Sequence, residues 1–227
     1  MNYPGGKGAS GAFQQVINQI PPHRVYLELF VGGGAVFRHK LPAASSVLAD
    51  LDADVARHWL ELAPPNTTIL QGDALQILSS YPWVGDEFVY LDPPYVLDTR
   101  TKKKIYRCEL DDWAHVELLS LVASLPVPVA LSGYRSALYD DAAARYGWRR
   151  IDFQAMTRGG PRTESLWMNY ASPARIAETT YAGSNFRERE RIKRKATRWA
   201  DKLRALPAVE RQAILTMLAS ADESSDA

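Results

Sequence analysis

Phe88-Val89-Tyr90-Leu91-Asp92-Pro93-Pro94-Tyr95 is an apolar run closed by one acid, two prolines and an aromatic. Four apolar residues without alternation read as a buried strand. Pro93 and Pro94 cannot extend a ladder, so the strand stops at Asp92. Asp92 and Tyr95 then stand at the carboxyl end of a strand, where open α/β sheets bind ligands. The Asp92 carboxylate is a hydrogen-bond acceptor. The Pro93 carbonyl is a second one, held rigidly because the ring fixes φ and Pro94 restricts the residue before it. Tyr95 adds a flat π face. Two acceptors and a stacking face suit a planar ring that carries an exocyclic amine. The competing reading is a proline turn with a solvent-facing Asp.

Upstream, residues 25–30 form a first strand that runs into Val31-Gly32-Gly33-Gly34-Ala35-Val36-Phe37. Glycines let a chain turn sharply and let a cofactor lie against the backbone. Phe37 stands where the dinucleotide pattern has its third glycine, so the motif alone is weak. A second strand over residues 46–50 ends in Asp50, where this kind of sheet sets a carboxylate on ribose hydroxyls. A third, over 67–71, leads to Asp73, which either caps the next helix or takes the amino group of an adenine ring. Before the first strand, Tyr3-Pro4-Gly5-Gly6-Lys7-Gly8 is a turn whose one ammonium is suited to meeting a carboxylate, and a helix follows over about 11–20.

Downstream, residues 99–107 are basic and lie beside the proposed pocket, which suits phosphate contacts. Asp111 or Asp112 caps a helix to about 125, with His115 in a structural place on its first turn. A fifth strand over 127–131 ends in Ser132-Gly133-Tyr134. A helix over 137–146, a sixth strand over 148–153, a turn over 158–162 and a seventh strand over 164–170 complete the pattern. The alternation of strand and helix argues for a doubly wound parallel sheet with an antiparallel hairpin at its edge. Beyond residue 172, Ile192, Ala196, Trp199, Leu203 and Leu206 make one apolar stripe on a basic helix. A short helix over 208–219 and an acidic, disordered tail over 220–227 follow.

The chain has 227 residues, 46% of them hydrophobic, enough for one sizeable core with an appendage. A single cysteine, Cys108, excludes an internal disulfide and fits a reducing cytoplasm. No segment is long enough to span a bilayer, and the amino terminus has no apolar signal region. The net charge is +1, but residues 187–204 hold nine Lys or Arg and three acids, leaving 18 basic against 23 acidic residues elsewhere. A concentrated basic segment is either a nucleic-acid footprint or a solvated helix face.

The pieces together resemble the Dam-like adenine-specific DNA methyltransferases, in their short phage or prophage form. The resemblance covers about residues 2–171. It rests on Tyr3 to Lys7, Leu27 to Gly34, Leu48-Ala49-Asp50, Gly72-Asp73, Asp92 to Tyr95, Leu131 to Tyr134 and Thr163 to Tyr170, in that order and spacing. Asp at the head of the Asp92 to Tyr95 motif resembles the adenine enzymes more than the cytosine enzymes, which usually have Ser there. The resemblance implies a Rossmann-like, S-adenosylmethionine-dependent fold of seven strands in a mixed sheet, with an antiparallel edge hairpin and a helical carboxyl-terminal extension. It implies cofactor contacts from Tyr3, Lys7, Glu28, Phe30, Gly32, Gly34, Asp50 and Asp73, and catalysis by Asp92, Pro93, Pro94 and Tyr95. It calls for no metal.

DNA is the expected partner, and a bacterial or phage-infected cytoplasm the expected place, with a restriction-modification setting in view. The expected phosphate contacts are Arg100, Lys102, Lys103, Lys104, Arg107, Arg158, Arg162, Lys193, Arg194 and Lys195. Larger relatives insert a target-recognition domain between the third and fourth strands; here the short segment from Asp73 to Asp92 has no room for one. Three alternatives stay open. They are an RNA or glutamine N-methyltransferase, a noncatalytic nucleic-acid-binding protein on the same scaffold, and a dehydrogenase, which would leave Asp92 to Tyr95 unexplained.

Overall fold

Strand β4 (Glu87–Leu91) is buried along its whole length, which is why its sequence does not alternate. Its side chains point to two cores in turn: Phe88 and Tyr90 into one, Val89 and Leu91 into the other. The structure is a computed structural model and describes residues 7–8, 11–99, 107–157 and 160–223. Tyr3, Arg100, Lys102, Lys103, Lys104 and Arg158 lie outside the described residues.

In chain order the first unit comprises α1 (Ala12–Ile17), β1 (Val25–Glu28), α2 (Ala35–His39), β2 (Ser45–Asp50), α3 (Ala53–Leu62), β3 (Thr67–Gln71), α4 (Ala74–Ser80), β4, α5 (Asp112–Ser124), β5 (Val129–Gly133), α6 (Ala137–Tyr146), β6 (Arg149–Thr157) and β7 (Gly160–Met168). The seven strands form one sheet in the order β3-β2-β1-β4-β5-β7-β6. β1 to β5 are parallel, and β7 runs antiparallel to both β5 and β6. Helices α1, α2 and α3 bury Phe13, Val16, Ile17, Val36, Val55 and Trp59 against one face. Helices α4, α5 and α6 bury Leu78, Leu118, Val122 and Tyr139 against the other. His115 is fully buried and its Nδ1 lies 2.9 Å from the Tyr139 hydroxyl, a structural role.

Four of the helices of this first unit start on a side-chain cap. Asp52, Asp73, Asp111 and Ser136 accept from the backbone N–H groups of Asp54, Leu75, Ala114 and Tyr139. The turn expected over 158–162 is corrected in part, because Gly160 to Arg162 belong to β7 and pair with Thr157, Met156 and Ala155. Pro161 is tolerated there because β5 pairs with β7 only from Ser165 onward, so this end of β7 has a partner on one side only. Residues 172–181 stay with the first unit: the Ala177 N–H donates to the Ile20 carbonyl, and Tyr181 packs edge-on against Phe13. Only residues 81–86 join α4 to β4, so nothing is inserted before Asp92.

The chain divides into two compact units, residues 1–181 and 182–227. The second holds α7 (Phe186–Arg204), capped by Asn185, and α8 (Ala208–Glu223). α8 runs past residue 219 to Glu223, into the segment expected to be a disordered tail, over residues that include the helix formers Ala221 and Glu223. No residue of α7 is buried; Trp199 on its apolar stripe is 53% exposed. Among the described residues, no helix is long and apolar enough to cross a membrane.

Candidate active site

The strand order reverses at β1 and β4: the chain winds outward from β1 to β3, then returns to β4 on the other side. Such a switch point leaves a crevice outside the carboxyl ends of the two strands. The β1 end carries the glycine turn, β2 carries Asp50, and β4 carries Asp92. Residues far apart in sequence are therefore neighbours here.

The glycine turn is held from three sides. Gly32 and Gly34 have φ of +43° and +58°, a region that side chains disfavour. The Gly32 N–H donates to Asp50 Oδ2 (2.9 Å), and the Asp52 N–H donates to Asp50 Oδ1 (3.0 Å). The Gly32 carbonyl accepts from the Trp59 indole at 3.0 Å. A Cβ on Gly34 would come within 2.2 Å of the Trp59 ring. Burial raises the Asp50 carboxyl, while the Asp52 and Gly32 N–H bonds draw it back. Phe30 precedes this turn, half-buried against the second core. Asp73, at the end of β3, serves as the cap of α4 and is half-buried.

Glu28 lies beneath the turn. It is 3% exposed and accepts from the Tyr26 hydroxyl (2.7 Å) and the Phe37 N–H (3.2 Å). Burial pushes its carboxyl up to about 8, and the Asp92 charge adds to that. Burial brings nearby Lys40 down to about 8. Between about pH 4.5 and 8 the folded chain keeps a Glu28 proton that the unfolded chain has lost, so stability falls as pH rises through that window. From about 8 to 10.5 the unfolded chain keeps a Lys40 proton that the folded chain has lost, so that contribution rises again. The Glu28 part is on the order of a few kcal/mol. Urea unfolding of Glu28→Gln at pH 5, 6.5 and 8 should show a clearly shallower decline than the parent; parallel declines would mean that Glu28 is not the titrating group.

At the β4 end, Asp92 is held from two sides. Ser132 of β5 donates to Asp92 Oδ1 at 2.7 Å. The Lys7 ammonium donates to Oδ1 and Oδ2 at 2.6 and 2.8 Å. Lys7 also donates to the Tyr95 hydroxyl at 2.5 Å and lies 3.4 Å from Glu164 Oε2 on β7. Lys7, Tyr95 and Glu164 are all buried. Burial alone would favour a neutral amine, but Asp92 and Glu164 hold the Lys7 ammonium well above the usual lysine range. Burial raises the Glu164 carboxyl, and Lys7 draws it back. The Tyr90 hydroxyl lies 2.9 Å from Ser132 Oγ and closes the network from below.

The structure thus brings Lys7 together with Asp92 and Tyr95, as a pairing of ammonium and carboxylate. Pro93 is buried and Pro94 half-buried beside them. Tyr95, expected as an open stacking face, is 6% exposed, and its ring meets Tyr134 edge-on at 4.5 Å. Tyr134 is half-buried, with the Arg162 guanidinium 5.7 Å from its ring centroid, which brings Arg162 to the rim of the site. Arg107 is held instead at the start of α3, 2.6 Å from Asp54 and 3.5 Å from Asp52. Lys193, Arg194 and Lys195 are exposed on α7. Ser132, Tyr134 and Glu164 have no role assigned from the sequence; the signal for them is their place in the matching stretches Leu131 to Tyr134 and Thr163 to Tyr170, at the ends of the fifth and seventh strands.

Seven strands in one mixed sheet with helices on both faces make a Rossmann-like α/β fold, and a helical carboxyl-terminal unit follows it. No protein-family model matches the chain, and no curated protein matches it. Solved structures do overlay on it. TrmK of M. capricolum, solved with the cofactor product S-adenosyl-homocysteine, covers 96% of this chain and 98% of its own at 6% identity and a TM-score of 0.49. The 23S rRNA methyltransferase ErmE covers 81% and 82% at 13% identity and 0.47. A precorrin 8w decarboxylase of Methanobacterium thermoautotrophicum covers 74% and 94% at 10% identity and 0.47. Overlaps of this quality carry nothing about reaction or substrate, so function rests on the residues of this chain.

Proposed function

We propose that this chain transfers a methyl group from S-adenosylmethionine to the exocyclic N6 amine of adenine in DNA. The observation that carries the reading is Asp92, held by Ser132 and Lys7 at the end of β4, next to the glycine turn of β1. The turn at Gly32 and Gly34 offers a backbone that a ligand can approach closely, Asp50 suits ribose hydroxyls, and Asp73 suits an adenine amino group. These groups fit the cofactor, together with Phe30 at the start of the turn. When bound, it supplies an activated methyl group.

The residues of the chain do the rest. An adenine amine is a poor nucleophile because its lone pair is delocalised into the ring. Asp92 and the Pro93 carbonyl accept its two N–H bonds and favour a pyramidal nitrogen. The Asp92 charge also stabilises the positive charge that develops there as the amine is alkylated. The base must leave the duplex to reach them. Tyr134 and Tyr95 line its path, and a stacking contact on such a ring is worth roughly 1–3 kcal/mol.

The first test offers labelled cofactor to DNA, RNA and protein in parallel, with mapping of the methylated position. Label recovered as N6-methyladenine in DNA is the expected result. Label confined to RNA or to protein would overturn the substrate while keeping the chemistry.

With no inserted recognition domain, phosphate affinity has to come from other basic surface. The exposed cations of α7 supply it in this reading. Lys193→Gln, Arg194→Gln and Lys195→Gln together should weaken DNA binding and lower the slope of log affinity against log salt by about 2–3, near 0.9 per lost phosphate contact. The set of methylated sites should not change, because phosphate contacts position without reading sequence. An unaltered salt slope would make α7 a solvated helix only; altered sites would make it a base reader.

A further inference from the structure

The Lys7 ammonium is bound to both oxygens of Asp92, the carboxylate that the proposed substrate needs. Ser132 takes a further lone pair on Oδ1. A carboxylate has about four such positions. Three of them are filled, so an incoming amine donor has one position left, on Oδ2, where it must crowd the Lys7 ammonium or move it aside. Lys7 cannot simply withdraw to water: it is 3% exposed, and a buried ammonium without a counter-ion is costly.

A second carboxylate is within reach. Glu164 Oε2 lies 3.4 Å from Lys7 Nζ, against 2.6 and 2.8 Å for the Asp92 oxygens. Among the described residues, Asp92 and Glu164 are the two carboxylates in ion-pair range of Lys7. Glu164 is itself 5% exposed, on β7, the strand that brings it across from β5. A shift of well under a side-chain length, largely rotation about the flexible lysine stem, would exchange the shorter contact for the longer one.

We propose that Glu164 is a positioning residue that takes over the Lys7 ammonium when the substrate amine claims Asp92. Lys7 then moves between two fixed carboxylates instead of leaving the site, and Asp92 becomes available without a buried cation being stranded. This rests on the reading of Asp92 as the acceptor for an adenine amine.

The test is a cycle of Glu164→Gln, Lys7→Met and the double variant, each assayed for methyl transfer, for KM toward the nucleic acid and for cofactor affinity. Glu164→Gln keeps the shape but removes the second seat, so Lys7 stays on Asp92. Its KM for nucleic acid should rise at least about tenfold with cofactor affinity unchanged. The double variant removes both the competitor and its seat, and should recover at least about threefold over Glu164→Gln. A fixed counter-ion would couple the two residues in thermal stability but would not raise KM in the folded single variant. If Glu164→Gln does not fold, Glu164→Asp keeps the charge but draws the second seat back by about one C–C bond, roughly 1.5 Å, so KM for nucleic acid should rise at least about threefold with cofactor affinity unchanged. A double variant no better than Glu164→Gln, or a normal KM in Glu164→Gln, overturns the proposal alone. In the Glu164→Asp arm an unchanged KM does the same. Parent protein that methylates no nucleic acid overturns the functional reading and this proposal together.

Discussion

Asp92→Ala should lose methyl transfer by at least about 100-fold while binding the cofactor as tightly as the parent protein. The change deletes an acceptor whose contribution is largest as the nitrogen becomes pyramidal and gains charge, so the loss falls on the transition state. Removing one comparable hydrogen-bonding group from a preorganised site costs roughly 10²–10³ in kcat elsewhere. Cofactor affinity is spared because the glycine turn, Asp50 and Asp73 are built without Asp92; their hydrogen bonds run to Gly32, Asp52 and Leu75. The Lys7 ammonium is not stranded, because Glu164 remains within ion-pair distance. Single-turnover transfer with labelled cofactor, paired with calorimetry for cofactor binding, separates the two effects. Turnover within a few-fold of the parent would remove Asp92 from the reaction.

Gly34→Ala should destabilise the first unit by about 2–5 kcal/mol. Two costs add. A φ of +58° is open to glycine, and an alanine there loses about 1–2 kcal/mol. The new Cβ would also sit 2.2 Å from Cζ2 and 2.7 Å from Cη2 of Trp59. Trp59 cannot yield freely: it is 2% exposed and its indole is tied to the Gly32 carbonyl. Overpacking of this kind costs typically 1–3 kcal/mol. Gly147→Ala is the control, since Gly147 has φ of +70° with nothing near its Cβ position. Urea unfolding of the pair isolates the Trp59 contact as the difference. Equal losses would mean that the indole moves aside at no cost.

Much of this was legible along the chain. β2, β3 and β4 end at or just before Asp50, Gly72 and Asp92, where an acid or a glycine breaks an apolar run, and the caps at Asp73 and Asp111 fall among the positions proposed for them. The pairing of strands was not legible. Local pattern marks β1 and β4 as buried strands but not as neighbours, because their adjacency depends on how the whole sheet winds. For the same reason Glu164 had no visible partner: Lys7 reaches it only once β7 lies against β5. The contact of Tyr134 with the Tyr95 ring was not legible either, because the two are 39 residues apart in sequence. The amphipathic stripe of α7 was read correctly as a pattern, yet pattern alone does not say what covers it.

The place of β7 has a consequence for the order in which the chain is made. β7 is the last strand to emerge, yet it lies inside the sheet between β5 and β6. Until residues 160–168 leave the ribosome, one whole side of β5 is an unpaired edge made of Val129, Ala130, Leu131, Ser132 and Gly133. Such an edge, flat and largely apolar, invites pairing with another chain. A nascent chain halted between β5 and β7 therefore carries an aggregation-prone edge. Insertion of the β6–β7 hairpin closes that edge and delivers Glu164 to Lys7 in one step, so the site is completed by the same event that makes the sheet safe.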